Sequence, residues 1–174
     1  MDERRRARTE SLAQRNLFAE LLALRDQQRE QRQDAVWLIK GNALPWEDNP
    51  LGQMRWYLHP TLDDTAIHTL MLYVQEIPPG GRTGRLQFQG GQVIYVWAGR
   101  GHTRLDGVRH PWEAGDLINL PLRTEGITVQ HFNDDPDAPV RLICAEPNLA
   151  HSLGVDRGVG FEVLENAPAR AADD

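Results

Sequence analysis

Apolar residues in the first part of the chain recur with the spacing of an α-helix. Residues 9–33 contain no glycine or proline, and Leu17, Leu21 and Leu24 follow one another at intervals of three or four residues. This pattern predicts one amphipathic helix over residues 9–33. The second half of the segment is polar on all sides, which predicts a helix end that projects into solvent or lies against a neighbouring subunit.

After Asp34 the apolar residues form short runs separated by turn residues such as Gly90–Gly91 and Asp106–Gly107. No repeated alternation of strand and helix patterns occurs, so the runs favour an antiparallel barrel or sandwich. We therefore predict a helical extension (1–34), a β-barrel (35–146) and an extended C-terminal tail (147–174), whose end buries little surface and frays. The predicted strands are 35–39, 52–58, 66–77, 85–89, 93–97, 102–105, 116–120, 127–132 and 140–145.

Composition limits the classes of partner. The 174 residues suit one domain of ordinary size, and the net charge of -6 argues against nucleic acid or an anionic membrane as a partner. The single cysteine excludes a disulfide framework and is typical of a reducing compartment. No apolar run has the length of a signal peptide or a membrane span, so we expect a cytoplasmic protein.

Residues 77–99 read IPPGGRTGRLQFQGGQVIYVWAG, and they are followed by GHTRLDG (101–107), WEAGDL (112–117) and QHFNDD (130–135). This succession resembles the motifs of the cupin superfamily, in particular the small single-domain cupins related to gentisate 1,2-dioxygenase. The resemblance covers residues 66–146. It implies an all-β fold, the double-stranded β-helix or jelly-roll barrel, to which the N-terminal α-helix and the C-terminal tail are added.

Cupins of this type hold a metal ion with two histidines, a glutamate and a third histidine. Aligned on its flanking glycines, the first motif, G(x)5HxH(x)3E(x)6G, places Leu86, Phe88 and Gln92 at the ligand positions, and the second motif places Val129 there. Leucine, phenylalanine and valine have no lone pair for a cation, and a neutral amide is a poor ligand for a transition metal. We expect no metal and no cofactor at this position. A one-residue slip in register would turn Gln87 and its neighbour Gln89 inward instead.

His131 lies two residues after Val129, so strand alternation places both side chains on the inner face. One interpretation is a partly buried histidine that is hydrogen-bonded within the protein. The other is a cavity histidine that binds or protonates a ligand near neutral pH. The replaced ligand positions predict an apolar pocket, unless the same side chains fill the barrel. Its expected lining is Leu86, Phe88, Val129, Gln92, Tyr73 and Gln75.

The other histidines show no metal-binding spacing. His59 and His68 precede the barrel motif, whereas His102 and His110 flank a hairpin and are expected at the surface. His151 falls in the tail. Cys144 lies in an apolar run and is expected to pack in the core, because no neighbouring base is evident that would make it a nucleophile.

Three functional hypotheses follow. The first is a metal-independent cupin that binds a small, largely apolar organic acid, aromatic or polyketide-like, with His131 as the acid or base of any reaction. The second is a dioxygenase-type enzyme with a rearranged metal site made of His131, Gln92 and either His59 or His68. The third is a non-catalytic structural or sensory module.

Whether the chain is an enzyme stays open at this point. The candidate activities are a metal-independent isomerase or lyase and a relative of the dioxygenases of aromatic-compound metabolism. The amphipathic helix and the edge strands of a two-sheet barrel both favour a homodimer.

Overall fold

The computed structural model describes residues 2–157 and 160–169. The last five residues of the predicted tail, 170–174, lie outside this part of the chain. The described residues form two compact units. One comprises residues 2–37 and 64–66, and the other comprises residues 38–63 and 67–169 without the pair 158–159.

The first unit contains two helices, α1 (Asp2–Ala13) and α2 (Leu17–Gln33), where the apolar spacing predicted one. The break lies at Asn16, whose backbone leaves the helical region (φ −106°, ψ 87°) and whose side chain accepts a hydrogen bond from the amide of Ala19 at 3.0 Å. Asparagine is a strong N-cap because it satisfies an amide that the first turn of a helix leaves free. The start of α2 is therefore encoded locally.

The second unit is built from eleven strands and two short helical segments, Gly41–Ala43 and α3 (Ala150–Leu153). Its strands are arranged in two antiparallel sheets, in the orders β1-β2-β3-β10-β5-β8 and β11-β4-β9-β6-β7. The strands are β1 (Glu47–Asn49), β2 (Gly52–Leu58), β3 (Leu70–Ile77), β4 (Arg85–Phe88), β5 (Val93–Ala98), β6 (Arg100–Leu105), β7 (Val108–Glu113), β8 (Leu117–Asn119), β9 (Ile127–Asn133), β10 (Val140–Pro147) and β11 (Glu162–Glu165).

Most of the predicted strands are present, and the differences are in short elements. The run 35–39 forms only an isolated bridge between Val36 and Thr65. Strands β1, β7 and β11 were not predicted, and the first two contain few apolar residues. The tail, expected to be extended, contributes α3 and also β11, which pairs with the edge of β4. The tail thus completes the five-stranded sheet.

The hydrophobic core fills the space between the two sheets. Strand β5 shows the alternation most clearly: Ile94 and Val96 are fully buried, whereas Tyr95 and Trp97 are about half exposed. Alternation of this kind places one face of an antiparallel strand against the core and the other in solvent. The same core includes Tyr73 and the single thiol, Cys144, so the predicted packing role of Cys144 is confirmed.

Asn133, at the end of β9, ties two loops to the barrel. Its amide nitrogen donates to the carbonyls of Ile77, Pro78 and Ala138 at 2.8–3.1 Å. Its amide oxygen accepts from the backbone of Asp135 at 2.8 Å. The side chain is 4% exposed. Its bond to Ile77 is buried, whereas its bonds to Pro78 and Ala138 are partly buried.

We predict that Asn133→Ala lowers the free energy of unfolding by about 1–3 kcal/mol, because it leaves the buried carbonyl of Ile77 without this donor and releases the two loops. Urea denaturation measures this change. The matched control is Asn119→Ala at an exposed position of β8, for which we expect a change below about 0.5 kcal/mol. Equal effects of the two substitutions would contradict the role of Asn133.

Candidate functional site

The four positions at which cupins hold a metal lie together inside the barrel. Leu86 pairs with Val129 across β4 and β9, and Phe88 pairs with Ile127. Phe88, Val129 and Ile127 belong to the buried core, and Leu86 packs against it. The predicted register is therefore confirmed, and the alternative that turns Gln87 inward is wrong.

A metal ion does not fit this position. Gln92 is the one side chain of the four with a polar group, and its amide nitrogen donates to the hydroxyl of Tyr73 at 2.8 Å. Across the described residues, no three side chains of histidine, cysteine, aspartate or glutamate are grouped so that they could hold an ion. We therefore derive no chemistry through a metal.

The rearranged metal site is not supported either. The Nδ1 atom of His59 lies 2.8 Å from the hydroxyl of Thr61, and the ring packs edge-on against Trp56 at 4.8 Å between centroids. His68 is exposed. The polar groups of His59, Gln92 and His131 are thus directed to different partners.

His131 belongs to a buried hydrogen-bonded chain of three side chains. It faces Thr103 across β9 and β6, and its Nδ1 lies 2.7 Å from the Thr103 hydroxyl. The indole nitrogen of Trp112 donates to the same hydroxyl at 2.9 Å. All three side chains are at least nine-tenths buried. Because an indole N–H can only donate, Thr103 accepts from Trp112 and can give its own hydrogen to Nδ1 of a neutral His131.

Burial lowers the pKa of His131 to about 4, because a charged imidazolium would lose its hydration there. The ring is therefore neutral at pH 7. The sequence suggested that His131 titrates near neutral pH, and the lowered pKa differs from that interpretation. Strand alternation predicts that the residue lies inside the barrel, but it does not show how completely the ring is desolvated. At neutral pH the ring is therefore uncharged, and its Nδ1 can accept the hydrogen bond from Thr103.

A cleft of about 310 Å³ reaches this chain of side chains from the open edge of the barrel. It is bordered by β7 and β8, the edge strands of the two sheets, and Thr103 and Trp112 form part of its wall. Most of the lining is apolar. The remaining lining residues are Leu105, His110, Pro111, Asp116, Leu117, Ile118, Asn119 and Leu120.

The six side chains predicted to surround a ligand lie elsewhere in the barrel unit. Leu86, Phe88 and Val129 pack in or against the core, and Tyr73 bonds to Gln92. Gln75 is 5% exposed and donates to the carbonyl of Leu51 at 2.9 Å. The structure brings these groups together as parts of a packed interior, whereas the cleft is lined by other residues.

Gly101 allows Trp112 to reach Thr103. Gly101 and Trp112 pair across β6 and β7. A Cβ atom at position 101 would lie 2.6 Å from the indole ring of Trp112 and 2.0 Å from the carbonyl oxygen of Phe132. Both distances are too short for any side chain. The absence of a side chain at Gly101 thus leaves room for the indole ring, whose N–H donates to the Thr103 hydroxyl.

His102, expected at the surface, is 8% exposed. Its ring stacks in parallel on Phe132 at 4.6 Å, and its Nδ1 lies 2.8 Å from a carboxylate oxygen of Asp134. Asp134 also accepts from Arg109 at 2.7 Å. The surface assignment was wrong because Phe132 of the neighbouring strand β9 covers the ring face and Asp134, just after that strand, binds the ring nitrogen.

Comparison with known proteins supports the fold. The polyketide cyclase RemF from Streptomyces resistomycificus has 16% identity and a TM-score of 0.54, over 65% of this chain and 80% of that chain. A cupin-like protein from Thermotoga maritima has 21% identity and a TM-score of 0.51, over 74% and 89%. Salicylate 1,2-dioxygenase from Pseudoaminobacter salicylatoxidans, solved with gentisate, has 19% identity and a TM-score of 0.50, over 63% and 28%.

No protein-family model and no curated protein matches the chain. At identities this low, the structural likeness defines the fold and leaves activity open. The chain has the cupin fold, an all-β jelly-roll barrel, and the resemblance seen in residues 66–146 is confirmed at that level. None of the helices in the described ranges is long and apolar enough to cross a membrane.

The depressed pKa of His131 makes stability depend on pH. Between pH 6.5 and 4 the unfolded chain takes up the proton that the folded chain excludes, so the folded state loses stability as the pH falls through this window. The full effect is on the order of 3 kcal/mol. We predict that His131→Gln removes this pH-dependent contribution to the free energy of unfolding. The difference in free energy of unfolding between wild type and variant, measured by urea denaturation, should therefore narrow from pH 7 to pH 4.5.

His110→Gln, at an exposed position, is the control for this experiment and should show no such narrowing. A stability gap between wild type and His131→Gln that is the same at both pH values would show that His131 is not desolvated in the folded protein.

Proposed function

We propose that the cleft between β7 and β8 binds a small, largely apolar organic molecule, aromatic or polyketide-like, without a metal. The observation that carries this proposal is the position of Thr103, which lies in the wall of the cleft and is hydrogen-bonded to the buried His131. Small-molecule sites commonly have volumes of about 300–1,000 Å³ and apolar walls with a few convergent polar groups. The cleft meets both conditions.

The hydrogen bonds of Thr103 indicate which group of the ligand it receives. In the His131 tautomer that carries its hydrogen on Nε2, the Thr103 oxygen accepts from Trp112 and the Thr103 hydrogen is directed at Nδ1, which leaves a second lone pair. A ligand hydroxyl or phenol can donate to that lone pair. A carboxylate cannot donate, and it would also lie near Asp116 in the cleft wall. We therefore propose a hydroxyl-bearing compound in place of the organic acid expected from the sequence.

The same chain of side chains can move a proton. If the ligand hydroxyl gives its proton to Thr103 while the Thr103 hydrogen passes to Nδ1 of His131, the ligand oxygen becomes an anion, His131 becomes an imidazolium and Thr103 is unchanged. A buried imidazolium is costly and would return the proton quickly. This relay suits a reversible proton transfer, as in a metal-independent isomerase or lyase.

The structural or sensory hypothesis is the second candidate, and a specific observation favours it. The side chains at the former metal position, Phe88 and Val129 among them, are packed in the core. A barrel with a filled centre needs no ligand to be stable. This hypothesis predicts that the cleft binds neither 2-naphthol nor naphthalene nor 2-naphthoate.

The proposed binding is tested with 2-naphthol, naphthalene and 2-naphthoate, followed by calorimetry and by tryptophan fluorescence. We predict that wild type binds 2-naphthol more tightly than 2-naphthoate. Thr103→Val removes one hydrogen bond, so it should weaken 2-naphthol binding about five- to tenfold. Naphthalene, which has no hydroxyl, should bind wild type and Thr103→Val equally.

Thr128→Val, on the outer face of β9 next to Gln87, is the matched control and should leave all three affinities unchanged. Failure of wild type to bind any of the probes would reject the cleft as a site for this class and favour the structural hypothesis. Binding that is insensitive to Thr103→Val would reject the role of the hydroxyl.

We further propose that the chain is a homodimer. Strands β7 and β8 are sheet edges, and the apolar side chains of α2 are exposed, with Phe18 at 70% and Leu21 at 60%. Such surfaces favour self-association. Light scattering coupled to size exclusion should give twice the chain mass of 19.7 kDa, and a particle of the single-chain mass would contradict the proposal.

A further inference from the structure

The outer face of the six-stranded sheet is covered on one side and open on the other. One row of paired residues crosses five of its strands, from β2 to β8, and consists of Arg55, Val74, Ile143, Tyr95 and Leu117. Exposure rises along this row, since Val74 is 6% exposed, Tyr95 43% and Leu117 63%. The open side of the face therefore lies on β5 and β8.

The chain itself covers the side at β2. The guanidinium of Arg55 lies 4.2 Å from the centre of the Trp46 ring, which belongs to the segment before β1. Gly41 of the same segment lies so close to β2 that a Cβ atom there would be 2.1 Å from the hydroxyl of Tyr57. The covered side of the row is thus the side against which this segment packs.

Four exposed apolar side chains occupy the open side, and we call them the β5 patch: Val93, Tyr95, Trp97 and Leu117. The first three alternate along the outer face of β5, and Leu117 pairs with Tyr95 from the edge strand β8. Each of the four is at least 40% exposed. Single exposed apolar residues are ordinary, whereas a contiguous group of large ones is typical of an interaction site.

The charged side chains at the border of the β5 patch neutralise each other. The guanidinium of Arg141 lies 5.7 Å from the centre of the Trp97 ring and donates to the carboxylate of Glu76 at 2.8 Å. The chain as a whole has a net charge of -6, so two copies repel each other on average. The patch is a surface on which two copies can meet without this repulsion, and it presents no charge that an acidic or basic partner would match.

We propose that the β5 patch is the contact surface between two copies of this chain, which pack face to face about a two-fold axis. In such a contact the same patch serves both copies, so its four side chains become buried in each of them. Leu117 lies on β8, one of the sheet edges on which the proposed homodimer is based, so patch and edge form one continuous surface. This inference rests on the proposed homodimer and names its surface, and it does not depend on ligand binding in the cleft.

Charge variants of Tyr95, at the centre of the β5 patch, test this contact by sedimentation velocity over a series of protein concentrations. We predict that Tyr95→Glu and Tyr95→Lys each raise the dissociation constant of the dimer at least a hundredfold, because like charges then face each other across the interface. An equimolar mixture of the two variants should restore association, since the mixed dimer brings opposite charges together. A patch that contacts a different surface of the second copy would not give this rescue.

Leu164→Glu is the matched control, because Leu164 has nearly the same exposure as Tyr95, 44%, but lies on β11 of the other sheet. It should dimerise as wild type does. Urea denaturation shows whether each variant is folded, and Trp97→Glu with Trp97→Lys replaces the Tyr95 pair if that pair does not fold.

Three results would overturn the inference, and they differ in what they leave standing. A wild-type dimer that both Tyr95 variants leave intact would overturn the β5 patch and leave the homodimer in place. Weakened association that mixing does not restore would overturn the contact of the patch with itself. Wild type with the mass of a single chain at every concentration would overturn the patch and the homodimer together.

Discussion

Strand β9 fixes the arrangement of the whole interior, because it lies between β4 and β6 in the five-stranded sheet. On one side, its register places Val129 opposite Leu86. On the other side, it places His131 opposite Thr103. A shift of one residue would turn both Val129 and His131 to the outer face and leave the Thr103 hydroxyl without its partner. Packing of the former metal position and formation of the polar chain therefore depend on one register.

Sequence alternation was sufficient for the features that depend on neighbouring positions. It placed Leu86, Phe88, Val129 and His131 on the inner face because the period of a strand is two residues. It could not identify Thr103 as the partner of His131, since 28 residues separate them and the pairing of β6 with β9 is set by the whole sheet. Strand β11 escaped prediction for the same reason, because its partner β4 is distant in the chain.

The two polar groups inside the barrel differ in what burial does to them. His131 has a hydroxyl partner and becomes neutral, so the interior stays uncharged around Thr103. Burial raises the pKa of Glu146, although the guanidinium of Arg157 lies beside its carboxylate. Desolvation thus acts on a base and on an acid in the same barrel, and it is the largest cause of the pKa shift of each group.

The C-terminal segment has a further consequence for where the folding unit ends. Strand β11 covers the edge of β4, and Arg82 donates to Glu165 at 2.6 Å. Removal of everything after Pro147 would leave Glu146 as a buried carboxylate without its cation and expose a row of unpaired backbone groups. The paired strands of the five-stranded sheet therefore extend to Glu165, well past the last residue of the motif resemblance.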